Sequence, residues 1–112
     1  MTKIKIAHIL HCVGGVDVYL RLILSNIDSN NFSNIIIHGT DDTNKIFKND
    51  KNETVKEYKT NIIRNISLIN DFKALYSVYK VLKNEKPDLI HCHSAKGGII
   101  GRLLGRMLGI NV

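Results

Sequence analysis

The chain contains a single proline, Pro87, and the twenty residues after it constrain the fold more than any other stretch. Proline lacks an N–H and pushes the residue before it out of the helical region, so any helix arriving at Lys86 must stop there. Asp88 to Cys92 is a short apolar run, too short for a helix and suited to a buried parallel strand. His93-Ser94-Ala95-Lys96-Gly97-Gly98 reads as a polar turn. Ile99 to Leu108 reads as a helix, with apolar pairs at 99/100, 103/104 and 107/108. Strand, turn and helix in succession form the unit of an open α/β sheet, where the loops at the carboxyl ends of the strands make the binding crevice. His93, Ser94 and Lys96 are expected in such a loop.

The front of the chain repeats this pattern. Lys3 to Leu10 reads as a strand, and His8 inside it as a packed core histidine with a hydrogen-bond partner. His11-Cys12-Val13-Gly14-Gly15 is a loop whose glycines let a ligand approach the main chain. Val16, Tyr19, Leu20, Ile23, Leu24 and Ile27 then form an amphipathic helical stripe, with Asp17 and Arg21 one turn apart on the solvent side. A glycine loop feeding a helix N-terminus suits an anion, because free N–H groups and the helix dipole point at it. The spacing is neither G-x-G-x-x-G nor G-x-x-x-x-G-K-[ST], so by itself it is also the spacing of a plain turn.

Ser33 to His38 reads as a second strand, with Ile35, Ile36 and Ile37 as a continuous buried run. Ile46 and Phe47 interrupt a polar loop as a helical turn. Glu53 to Tyr58 is a short edge strand blunted by Lys56 and Lys59. Asp71 to Asn84 is a helix whose buried face is Phe72, Leu75, Tyr79 and Leu82. Ile110 to Val112 opens another strand. This order predicts an α/β, Rossmann-like three-layer domain with a mainly parallel sheet, one domain over residues 1–112, forming the front of a longer protein.

Composition excludes several classes. No run reaches the roughly 20 apolar residues of a membrane span, and Met1 to Ile6 is no signal peptide. Two cysteines, Cys12 and Cys92, are too few for a disulfide framework, and a reduced cytoplasmic chain is expected. The net charge of +6 is uneven: residues 1–60 carry eight basic and seven acidic side chains, residues 61–112 eight and three. Such a basic half attracts phosphates or anionic headgroups. Nucleic acid is not the expected partner, because there is no arginine-rich run and no aromatic platform among four tyrosines and three phenylalanines.

If the first and last strands are neighbours, both loops meet in one cleft lined by His11, Gly14, Gly15, His93, Ser94 and Lys96. His91 and Cys92 point to opposite faces of a strand and cannot easily share a metal, and the spacing matches no standard zinc motif, so no metal is expected. Neither cysteine has the partner pattern of a nucleophile. Gly101, Gly105 and Gly109 recur every fourth residue. They are read as close helix packing, with Gly109 ending the helix.

Gly14-Gly15-x-Asp17, and above all Pro87-Asp88-Leu89-Ile90-His91-Cys92-His93-Ser94-x-Lys96-x-Gly98-x-x-Gly101-Arg102, resemble the N-terminal domain of family 4 glycosyltransferases of the GT-B fold. Asp17 stands where many relatives carry Glu. The resemblance implies transfer of a sugar, with retention, from a nucleotide-sugar donor to a sugar or lipid-linked acceptor, in surface polysaccharide or glycolipid synthesis. It implies that Gly14 and Gly15 face the donor diphosphate and that His93, the expected catalytic residue, lies by the transferred sugar. Ser94 and Lys96 complete the expected substrate-binding set. No cofactor or metal is implied. The donor-binding C-terminal domain is absent from these residues, so the fragment alone is expected to be inactive and to self-associate through its exposed domain face. Peripheral contact with the inner face of a membrane is expected. The alternative reading is a non-catalytic Rossmann- or flavodoxin-like module binding a phosphorylated ligand.

Overall fold

Seven elements succeed one another along the chain: β1 (Ile4–Ile9), α1 (Gly14–Asn26), β2 (Phe32–Gly39), β3 (Lys56–Thr60), α2 (Leu68–Glu85), β4 (Leu89–Cys92) and α3 (Ala95–Leu108). They come from a computed structural model that describes residues 3–10, 14–39, 45–60, 62, 68–93 and 95–112. The four strands form one parallel sheet in the order β3-β2-β1-β4. β1 and β4 are neighbours, as the cleft requires, with Ala7 opposite Ile90 and His8 opposite His91.

Strand alternation divides the core in two. Ala7 and Ile9 of β1, Ile35 and Ile37 of β2 and Ile90 of β4 face Ala74, Val78 and Leu82 of α2 and Ile100 and Leu104 of α3. Leu10 and Ile36 face the other way, onto Leu20 and Leu24 of α1 and onto Phe47 and Val55. The isoleucine run at 35–37 is therefore buried from both sides, which gives it the continuous apolar character of a parallel strand. Each fully buried Leu or Ile contributes about 1.5–3 kcal/mol of transfer free energy.

Several boundaries differ from expectation. β3 begins at Lys56, after the expected start at Glu53, because Lys48 and Thr54 bridge antiparallel and close a tight turn first. Phe47 is not in a helical turn; it is a fully buried core residue beneath the Arg21 guanidinium, 4.4 Å from its ring centroid. Arg21 also donates to the Asp17 carboxylate at 2.9 Å and to the Ile46 carbonyl at 2.8 Å, so it joins α1 to this segment. α2 starts at Leu68, before Asp71, and its buried row is Ala74, Val78 and Leu82, with Leu75 and Tyr79 packed beside it. Phe72 faces outward at 70% exposure, because the stripe that α2 turns to the sheet is centred on Ala74, Val78 and Leu82 and position 72 lies off that stripe.

The helix ends behave as the sequence indicates. Lys86 takes a left-handed conformation (φ 50°) and Pro87 comes next, ending α2. Gly109 has φ 70°, and Ile110 N–H donates to the Gly105 carbonyl at 2.8 Å, a Schellman-type closure of α3. Asn111 then bridges to Leu89 in parallel, the expected opening of another strand beside β4.

α3 begins at Ala95, four residues before the expected Ile99, so Lys96, Gly97 and Gly98 belong to its first turns and not to a loop. The packing stripe is Gly97, Gly101 and Gly105. A Cβ on Gly97 would meet the Ile9 carbonyl oxygen at 2.5 Å, and Cβ atoms on Gly101 and Gly105 would collide with Cys92 Sγ and Val112 Cγ2.

Candidate active site

The carboxyl ends of β1 and β4 carry three histidines on one face of the sheet. His91 and His93 are two residues apart, so alternation points them the same way, and register sets His8 opposite His91. His8 Nδ1 lies 3.3 Å from His93 Nε2, and the ring centroids of His91 and His93 are 4.0 Å apart. His8 and His93 are buried, and His91 is half-buried. Among the described residues, the other ring nitrogen of His8, Nε2, meets Asn34 Oδ1 at 2.9 Å. Asn34 sits on β2 beside Ile6, diagonal to His8 and on the same face.

This environment keeps His8 and His93 neutral. Burial pushes His8 down to about 4, the Asn34 contact opposing it and His91 adding to it. Burial, with smaller contributions from His91 and His8, pushes His93 down to about 4 as well. Neutral imidazoles hydrogen-bond as one donor and one acceptor each, or ligate a metal. His8, His91 and His93 each offer a nitrogen, all within 4.8 Å of one another, and are the described residues that could hold a metal ion. The expected absence of a metal turned on His91 and Cys92 pointing to opposite faces; His91 and His93 share a face, and the register adds His8, which sequence order does not place beside them.

The first turns of α1 stand over this cluster. The Tyr19 ring lies edge-on to His93 with centroids 6.0 Å apart, one turn beyond Gly15. Gly14 and Gly15 open α1 itself, and a Cβ on Gly15 would meet nothing within 4 Å, so internal packing does not require glycine there. Lys96 points at α2, where its Nζ meets Asp71 at 2.8 Å. That pair offsets a cation in the first turn of α3, the unfavourable end of the helix dipole, and places Asp71 in the favourable first turn of α2. Ser94, His11 and Cys12 lie outside the described residues. Cys92 is a free thiol with its acidity suppressed by burial, packed under Gly101.

A depression of about 360 Å³ at the opposite, amino end of the strands is lined by Lys3, Lys5, Lys51 and Lys56 among others. Lys5 and Lys56 both bind Glu85 there, at 2.9 and 2.7 Å, which makes it a structural cluster.

The sequence profile of the glycosyl transferase 4-like family matches residues 8–111, nearly the whole chain. The chain belongs to the glycosyl transferase 4-like family. Over 49 residues, 44% of this glycosyltransferase-like chain, it is 55% identical to the UDP-Gal:alpha-D-GlcNAc-diphosphoundecaprenol alpha-1,3-galactosyltransferase of Escherichia coli, covering 13% of that protein. MurG of Acinetobacter baumannii superposes with a TM-score of 0.69 and 19% identity, over 96% of this chain and 32% of MurG. At that identity the likeness to MurG is one of fold, and it bears out the Rossmann-like α/β domain expected of the N-terminal half of a GT-B fold. The family assignment made from the histidine strand is likewise borne out. The chain spans under a third of the galactosyltransferase and about a third of MurG. No helix among the described residues is long and apolar enough to cross a membrane.

Proposed function

We propose that this chain is the N-terminal, acceptor-side part of a retaining glycosyltransferase that moves a sugar from a nucleotide-sugar donor to a lipid-linked acceptor in surface polysaccharide or glycolipid synthesis. The observation that carries this reading is His93, the second histidine of the family strand, buried at the carboxyl end of β4 beneath the first turns of α1. In this reading the free N–H groups at Gly14 and Gly15 face the donor diphosphate and stabilise the charge that grows on it as the glycosidic bond breaks. His93, neutral, hydrogen-bonds a hydroxyl of the transferred sugar. Ser94 and Lys96 belong to the same substrate-binding set, Lys96 after release from Asp71. The reaction needs no metal or other cofactor here, since helix N-termini supply the electrostatic stabilisation. The Escherichia coli relative's name supports the substrate class, a UDP-sugar and a diphosphoundecaprenol-linked sugar.

An acceptor of that kind is held in a membrane, and the outer surface of the α2–α3 layer suits peripheral docking at its cytoplasmic face. Leu68, Ile69, Phe72 and Tyr76 line one exposed row of α2, and Ile99, Leu103 and Met107 one of α3. Lys73, Lys80, Arg102 and Arg106 are exposed on the same two helices. Apolar rows with flanking cations bind anionic bilayers by burial and charge together.

The test is transfer by the full-length enzyme. Labelled nucleotide-sugar is supplied with a diphosphoundecaprenol-linked acceptor. His93→Ala is expected to lower kcat/KM by about 100-fold or more, the scale of losing a group that acts on the transition state. Undiminished transfer by that variant removes His93 from the reacting centre. Absence of transfer by the wild-type enzyme with every nucleotide-sugar tried rejects the reading as a whole.

A further inference from the structure

His8 and Asn34 have no part in the function proposed above, yet they form a continuous chain of contacts ending at His93. Three strands supply it. His8 is opposite His91 on β4 and opposite Ile36 on β2, and Asn34 is two residues before Ile36 on the same face. The two side chains stand on one face of adjacent strands, one pleat apart, within reach of an imidazole meeting an amide. The result is Asn34 Oδ1 at 2.9 Å from His8 Nε2, and His8 Nδ1 at 3.3 Å from His93 Nε2.

Chemistry sets the proton positions along this chain. The amide oxygen of Asn34 only accepts, so His8 Nε2 carries the hydrogen and donates it. Burial keeps the His8 ring neutral, so its Nδ1 is a bare lone pair. Two lone pairs facing each other at 3.3 Å in a buried site would repel, so His93 Nε2 carries a hydrogen and donates to His8. His93 is neutral in its turn, and its Nδ1 is therefore bare. No described residue hydrogen-bonds that atom.

We propose that Asn34 and His8 are positioning residues that fix the tautomer of His93, so that His93 meets a bound sugar with Nδ1 as a hydrogen-bond acceptor for a hydroxyl. The sugar contact rests on the placement of His93 argued under the proposed function; the tautomer does not. The site then selects a donor whose sugar carries a hydroxyl at the position facing His93. A deoxy analogue at that position would leave the lone pair unmet. An amide of Asn34 turned the other way would reverse every donor in the chain, so the amide oxygen of a residue that never touches substrate sets the polarity of the one that does.

The experiment is two-bond ¹H–¹⁵N correlation of the histidine side chains in this chain at about pH 8, where unperturbed imidazoles are neutral. His8 and His93 are both expected as single Nε2–H tautomers. Asn34→Leu, which removes the acceptor, is expected to turn the His93 signals into the average of a tautomer mixture. Asn34→Asp, which keeps an acceptor oxygen, is expected to restore the single form. An Nδ1–H tautomer of His93 in the wild-type chain overturns the relay, and that measurement needs no variant to fold. A folded Asn34→Leu chain with unchanged His93 signals also overturns it. If the tautomers are as expected but the full-length His93→Ala enzyme transfers sugar normally, the relay stands and the sugar contact falls.

Discussion

Gly97 rests against the backbone of Ile9, so closely that a methyl group on its Cα would stand 2.5 Å from the Ile9 carbonyl oxygen. That contact seats the first turn of α3 on the carboxyl end of β1, beside the His93 N–H that donates to the same Ile9 carbonyl at 3.0 Å. A backbone atom cannot swing away as a side chain can. Gly97→Ala is therefore expected to destabilise the chain by about 1–3 kcal/mol, despite the better helix propensity of alanine. Gly15→Ala, whose Cβ meets open space, is expected to leave stability unchanged or slightly raised. Urea unfolding midpoints of the two variants check the contrast, and equal destabilisation of both would refute it.

The two faces of α2 should respond oppositely to truncation. Leu82 is buried against the sheet, and Leu82→Ala is expected to cost about 2–5 kcal/mol. Phe72→Ala removes a larger side chain from an exposed position and is expected to cost under about 0.5 kcal/mol. The same Phe72 variant should lose association with anionic liposomes if the exposed row docks on a bilayer. Sedimentation with vesicles of increasing anionic lipid content measures that separately from stability.

Stability should fall on acidification through the histidine range. His8 and His93 titrate near their ordinary 6.5 when unfolded but at about 4 in the folded chain. Between those values the unfolded state holds more protons, so unfolding free energy rises with pH across the window and is fully present above 6.5. His8→Gln is expected to remove one proton from the slope. Denaturation curves collected between about pH 4 and pH 7 give that slope directly.

Glu85 produces a separate acid transition. Lys56, then the Tyr58 hydroxyl, then Lys5 hold its carboxyl down at about 2, from an ordinary 4.5. The depressed value means this contribution is complete above pH 4.5 and is lost as pH falls towards 2. Glu85→Gln is expected to destabilise the chain by about 1.5–3 kcal/mol at neutral pH, the scale of hydrogen bonds to a charged group. It should also remove this residue's share of the stability change below pH 4.5, which thermal unfolding in acid measures.

Much of the architecture was legible along the chain because its signals are local. Pro87 stops a helix by its own covalent structure, Gly109 closes one by reaching φ 70°, and the isoleucines at 35–37 could only be a strand buried on both faces. The errors lie where a neighbour decides. Phe72 fits a helical period with Leu75, Tyr79 and Leu82, and only the packing of Ala74, Val78 and Leu82 on the sheet shows which way the helix is turned. Phe47 looked like a turn residue because nothing nearby in sequence reveals that Arg21 and His38 pack against its ring.

The candidate site divides in the same way. Residue order and turn chemistry, which are properties of neighbouring residues, already placed His93 after a strand and before a helix, put Gly14 and Gly15 in a loop ahead of another helix, and matched both to a glycosyltransferase pattern; that the two glycines open α1 itself came from the fold. That His8 meets His93 at 3.3 Å across 85 residues, that Asn34 lies behind it, and that Lys96 turns away to Asp71 emerge from the folded sheet and its helices. For the histidines, register is what decides. Which residue of β1 lies opposite His91 is set by how the whole sheet packs against its helices, and a slip of one position would send His8 to the other face.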